Sequence, residues 1–169
     1  MPNTQPPTDS RDRLAEKAAL ASRKAVVDYG FYLGATDSNI EEALSASDQI
    51  VALKLYMGSS TGSLLVTEFT PMYRHFSSFP LHKPIVVHAE DEQSLSYFGA
   101  FGSRDHNQSR PPVSAQIAVS RALAIAEETG RALHVAHTTT ARELELIQEA
   151  KHKGVHEFKL PCRCRMCNM

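Results

Sequence analysis

The sequence predicts an α/β fold in which short parallel strands alternate with helices, and three features predict it. Four apolar runs of strand length lie within 26–35, 50–57, 84–88 and 132–137. Segments with apolar residues at helical spacing separate them, and the step from one run to the next, roughly 25 to 50 residues, is that of βα units and not of hairpins. Glycines and prolines punctuate the joints, with Gly130 and Gly154 directly after helical stretches.

Taken in order, residues 1–8 form a polar loop broken by Pro2, Pro6 and Pro7. Asp9 and Ser10 are N-cap residues for a helix over 12–28, in which Leu14, Ala18, Ala21 and Ala25 share one face. A strand over Val26–Ala35 follows, then a short helix from Asn39 to Ala46 capped by Asp37 or Ser38. Ile50–Gly62, IVALKLYMGSSTG, reads as a strand with one lysine in its middle and a small-residue loop at its end. Leu65, Phe69, Met72 and Phe76 predict a helix within 64–79, with Pro71 as a kink or boundary. Pro84–His88 is a strand followed by a polar loop, 99–112 a longer loop, 115–129 a helix, Ala132–His137 a strand, and Ala141–Lys153 a helix.

Composition narrows the function. A formal net charge of -1 in 169 residues lacks the basic surplus of a dedicated nucleic-acid binder. No apolar run approaches the roughly 20 residues of a membrane helix, and the N-terminus is not built like a signal peptide. The sequence is therefore expected to be soluble and cytoplasmic, with no nucleic-acid or membrane partner. All three cysteines, Cys162, Cys164 and Cys167, crowd into the end of the chain, which agrees with a reducing compartment. Their spacing suits a soft metal but lacks a second ligand pair, so 155–169 reads as an irregular tail.

In parallel βα architectures, both open sheets and closed barrels, reactive groups sit at the carboxyl ends of strands. Lys54, His88 and His137 fall at or near the ends of three successive predicted strands. Each has an ordinary explanation: a lysine can snorkel from an edge strand, and a strand-end histidine is commonly hydrogen-bonded to its surroundings. Together they suggest more. Two imidazoles from neighbouring strands can share a zinc ion, and a buried lysine favours the neutral amine, which takes up carbon dioxide to give an anionic carbamate. His134, three residues before His137, alternates to the opposite face and reads as structural.

MPNTQPP at 1–7, ALKLYMGSSTG at 52–62, VVHAED at 86–91 and HVAHTTT at 134–140 together resemble dihydroorotase, of the amidohydrolase superfamily, from Met1 to about Gly154. The resemblance implies a partial (β/α)₈ barrel over 1–154, roughly strands two to six. It implies two zinc ions bridged by carboxylated Lys54, with His88 and His137 on strands five and six ligating the second, and Asn3 holding the substrate carboxylate. The implied reaction is the reversible interconversion of N-carbamoyl-L-aspartate and dihydroorotate in pyrimidine biosynthesis. The implied partners are this small-molecule substrate and either a second copy of the chain or aspartate transcarbamoylase. Hydantoinase and allantoinase use a similar lysine and histidines, and a non-catalytic dihydroorotase-like protein is a further alternative.

The family's H-x-H motif, with its arginine, and the aspartate that serves as proton shuttle have no counterpart in these 169 residues, and Gln116 stands where a glutamate is frequent. No catalytic acid or base is therefore assigned. The expectation is little or no turnover of dihydroorotate by the isolated 169-residue chain. Measurable turnover with zinc and bicarbonate supplied contradicts it.

Overall fold

A computed structural model describes residues 1–100 and 105–155. Its centre is a four-stranded, wholly parallel sheet in the order β1 (Tyr32–Gly34), β2 (Ala52–Tyr56), β3 (Ile85–His88), β4 (Leu133–Val135). Sequential strands are spatial neighbours, as expected for consecutive βα units. Four strands among the described residues is one fewer than the span from strand two to strand six that the resemblance implied.

The register sorts side chains into two faces, because laterally paired residues in a parallel sheet point the same way. Leu33, Leu53, Leu55, Ile85, Val87 and Leu133 lie on the helix-covered face and join one continuous core. Each such burial is worth roughly 1.5–3 kcal/mol, which makes this face the source of the sheet's cohesion. The other face carries the row Gly34, Lys54, Val86, His134 and, one step towards the carboxyl ends, Tyr56 beside His88.

Helix α1 (Arg11–Lys24) begins where Ser10 accepts a hydrogen bond from the Arg13 N–H, and Lys24 is its last residue. The expected continuation through Val26 and Val27 does not form. These valines are 96% and 73% exposed, and β1 starts only at Tyr32. With no packing partner, β-branched residues in an apolar run have nothing to hold them in a strand. Helix α2 (Ile40–Ser45) leads through a 3₁₀ turn at Ser47–Gln49 into β2.

Helix α3 (Phe69–Ser78) is shorter than the helical spacing over 64–79 suggested, because Leu64 and Val66 are buried in extended chain that follows the loop after β2. Pro71 falls in the first turn, where the helix needs no N–H from it, so it marks the start of the helix without kinking it. The C-terminal turn of α3 is closed from outside. Arg131, 1% exposed, donates from Nε and Nη2 to the Phe76 carbonyl at 2.9 and 2.6 Å, from Nη2 to that of Phe79, and from Nη1 to that of Pro80 at 2.7 Å.

The polar stretch after β3 is a helix and not a loop. Asp91 accepts from the Ser94 N–H and caps α4 (Glu92–Gly99), and a single turn α5 (His106–Ser109) is capped by Asp105. Helix α6 (Pro112–Thr129) starts three residues earlier than expected, with proline at its first position, and ends at Gly130, whose left-handed φ of 63° suits glycine. Helix α7 (Ala141–His152) opens on a capping box between Thr140 and Glu143. Val155 still belongs to the fold: its N–H donates to the Ala150 carbonyl and its side chain packs on the core. The cysteine tail lies outside the described residues. Among those described, no helix is long and apolar enough to cross a membrane.

Candidate metal centre

Lys54 is fully buried in the middle of β2. Its Nζ lies 3.9 Å from the centroid of the Tyr56 ring and 3.4 Å from the Leu55 carbonyl, a long contact, and no carboxylate of the described residues forms an ion pair with it. Burial without compensation pushes its amine from 10.5 down to about 7, so that much of it is neutral near neutrality. A snorkelling lysine would show the opposite, an exposed head on a buried stem. Burial also pushes the Tyr56 phenol up to about 12, and its hydroxyl has no hydrogen-bond partner among the described residues.

His88 ends β3 and pairs in register with Tyr56; the two rings are 5.8 Å apart. His137 lies two residues past β4 and has φ of 45°. This explains how two histidines of opposite expected parity come to be placed. Strand register puts His134 on the face of Lys54, contrary to its reading as the histidine turned away. His137 reaches the site because the backbone turns left-handed after Ala136. The result is an edge-on pair, with His88 Nδ1 2.9 Å from His137 Nε2. Desolvation, together with the charges of His88 and Lys54, lowers the proton affinity of His137 and favours the neutral imidazole that binds cations.

Two residues not singled out by their chemistry in the sequence complete the arrangement. Glu90 Oε2 lies 3.0 Å from His88 Nε2 and is paired with Arg110 Nη1. Burial raises the Glu90 carboxyl, but His88 and Arg110 outweigh that and hold it below the ordinary range. Arg110 Nη2 donates to the Ser59 carbonyl at 2.7 Å, while Glu92 accepts from the Ser59 N–H and hydroxyl at 2.5 and 2.7 Å. The loop after β2 is thereby clamped over a cleft of about 580 Å³ lined by Thr61, His88, Glu90, Arg110, His137 and Thr139. Asn3 does not line the cleft but supports its wall, donating from Nδ2 to Thr61 Oγ1 at 3.0 Å and to the Thr61 carbonyl at 3.3 Å. Its side-chain hydrogen bonds tie it to the loop and not to Lys54 or the histidines.

The donor chemistry fits zinc. Two imidazole nitrogens on one tetrahedral zinc stand about 3.3 Å apart, given zinc–nitrogen bonds of roughly 2.0–2.1 Å. The 2.9 Å pair of His88 and His137 therefore needs only a few tenths of an ångström of opening. No group of three or more His, Cys, Asp or Glu side chains among the described residues could hold a metal ion.

Parallel βα units with a buried lysine and converging imidazoles at the strand ends define the chain as α/β, of the kind found in barrel hydrolases. No protein-family profile matches the chain. It is 30% identical over 163 residues to an allantoinase of Deinococcus radiodurans and 29% identical over 163 residues to a dihydroorotase of Methanosphaera stadtmanae, in each case covering 90% of this chain and 36% of the relative. The solved L-hydantoinase (dihydropyrimidinase) of Arthrobacter aurescens superposes with a TM-score of 0.80 at 28% identity, covering 92% of this chain and 37% of that one. The fold is that of the TIM-barrel amidohydrolases over part of the barrel, and these likenesses support the cyclic amidohydrolase family. The chain spans a little over a third of the length of these relatives. They divide among three ring substrates by name, so the narrower reading as dihydroorotase is not distinguished from its neighbours.

Proposed function

We propose that this segment supplies part of the active site of a cyclic amide hydrolase, with Lys54, His88 and His137 as ligands of a two-zinc centre and dihydroorotate or N-carbamoyl-L-aspartate as substrate. The observation that carries the reading is the convergence of His88 Nδ1 and His137 Nε2 at 2.9 Å, with the buried Lys54 amine, depressed to about 7, on the same face of the sheet as His88. When bound, zinc would supply a polarised carbonyl and a water acidified enough to attack at neutral pH.

The residues of the chain divide the remaining work. The neutral Lys54 amine is competent to take up carbon dioxide, and the carbamate would present two anionic oxygens where an amine presents one nitrogen. His88 and His137 offer neutral lone pairs from adjacent strand ends. The clamped loop carries Thr61, with Asn3 behind it, to the cleft rim, where an amide and a hydroxyl suit the carboxylate of the proposed substrate. Water is kept from the Lys54 side by the same packing that buries it completely.

The test begins with metal. The 169-residue chain, incubated with zinc and bicarbonate, should retain zinc after desalting, and His88→Ala and His137→Ala should each retain much less. Equal retention by all three would overturn the reading. Substrate is then assigned by assaying a longer protein containing this segment with dihydroorotate, allantoin and hydantoin. Preference for allantoin or hydantoin, which the similarity to allantoinase and L-hydantoinase favours, would replace dihydroorotate while leaving the chemistry unchanged. A zinc-free protein that co-purifies with aspartate transcarbamoylase would support a non-catalytic assembly role instead.

A further inference from the structure

We propose that Glu90, held by Arg110, is a positioning residue that fixes the tautomer of His88, so that its Nδ1 lone pair faces His137 and the cleft. A neutral imidazole carries one N–H, on either nitrogen. The two nitrogens of His88 meet different surroundings. Nδ1 faces His137 Nε2 at 2.9 Å, whereas Nε2 is buried without an aligned hydrogen bond, and the carboxylate oxygen of Glu90 lies 3.0 Å from it. An ionised carboxylate only accepts, so a bare Nε2 there would set a lone pair against negative charge. The proton therefore belongs on Nε2, which leaves Nδ1 unprotonated, and His137 donates across the gap until a cation takes its place.

Glu90 can impose this only if it stays ionised and still. Arg110 Nη1 pairs with the same Oε2 that faces His88, and its Nη2 is anchored on the Ser59 carbonyl. The backbone is held too. A Cβ added to Gly58 would lie 2.5 Å from the Glu90 carbonyl oxygen, so the loop after β2 rests directly on this residue and leaves it no room to withdraw. Carboxylates that orient a metal-binding imidazole in this way typically contribute 10–100-fold to metal affinity.

The metal arm of the proposal rests on the zinc reading above; the tautomer arm does not. With the full chain labelled with ¹⁵N-histidine and kept metal-free, long-range proton–nitrogen spectra should show His88 as the Nε2–H form. Glu90→Gln should populate both forms, and Arg110→Met, which leaves Glu90 in place, should do so to a smaller degree. Zinc affinity, measured by competition with a chromophoric chelator, should fall about 10–100-fold in Glu90→Gln at unchanged circular dichroism. An unaltered His88 tautomer in both variants, or a zinc affinity within about twofold of the parent chain, would overturn the proposal. A parent chain that binds no zinc but shifts tautomer on Glu90→Gln would sink the metal reading and uphold the positioning role. Should Glu90→Gln fail to fold, Arg110→Met decides by the same two measurements.

Discussion

Replacing Lys54 with methionine should make the metal-free chain more stable at pH 6 and abolish its zinc retention. The amine is buried, and burial lowers it from 10.5 to about 7. Between those values the unfolded chain binds more protons than the folded one, so stability rises with pH across that window. Below about 7 both states carry the proton and the folded state bears the whole cost of burying it, on the order of 5 kcal/mol for the cited shift. Methionine fills a similar volume without the charge. Urea unfolding of both proteins in parallel should show the variant ahead by several kcal/mol at about pH 6, with the gap closing towards about pH 10. A gap that stays flat across that range would mean the amine is not desolvated as described. Zinc retention in the presence of bicarbonate should move the opposite way, because the thioether offers no carbamate. On the proposed reading the position trades stability for a ligand, as buried ionisable groups at functional sites commonly do.

Arg131→Met should cost the chain about 3 kcal/mol, a fall in melting temperature of roughly 6–12 °C for a protein of this size. The guanidinium satisfies carbonyls of Phe76, Phe79 and Pro80 at and just past the C-terminus of α3, groups that a helix end leaves without partners of its own. Methionine keeps the packing of the stem and abandons those acceptors. Lysine should recover only part of the loss, since a single ammonium cannot reproduce the planar fork that addresses several carbonyls at once. Calorimetry on the three proteins checks this, and equal melting temperatures would show the carbonyls to be satisfied by other means.

The sheet was legible because its central strands β2 and β3 are buried on both sides and read as continuous apolar runs, with helices of clear period between the strands. Val26 and Val27 misled for the same reason: an apolar run signals a strand only where something covers it, and these two valines face solvent. Helix α4 was missed because it buries only Leu95, with Asp91 serving as cap in a stretch that reads as polar loop. At the site, Lys54, His88 and His137 could be picked out by strand-end position. The parity argument about His134 failed, since it assumed that strand geometry continues to His137, where a positive φ intervenes. Glu90 and Arg110 lie 20 residues apart in the chain, and nothing in either local sequence announces their pairing. Arg131 likewise looks like an ordinary surface charge after a helix-ending glycine. Partnerships across the fold are set by tertiary packing, which periodicity does not encode.

Gly34 stands in lateral register with Lys54, and a side chain added there would meet Leu64 at 2.5 Å. Leu64, 5% exposed, thus occupies the volume that any larger residue at position 34 would claim on the lysine's face of the sheet. The dryness of that face is decided one strand away from the amine, by an absence of atoms at position 34 and a leucine that fills it. A change at position 34 or in that leucine would therefore alter how dry the Lys54 amine is, and with it the depression of its proton affinity, without touching the lysine itself.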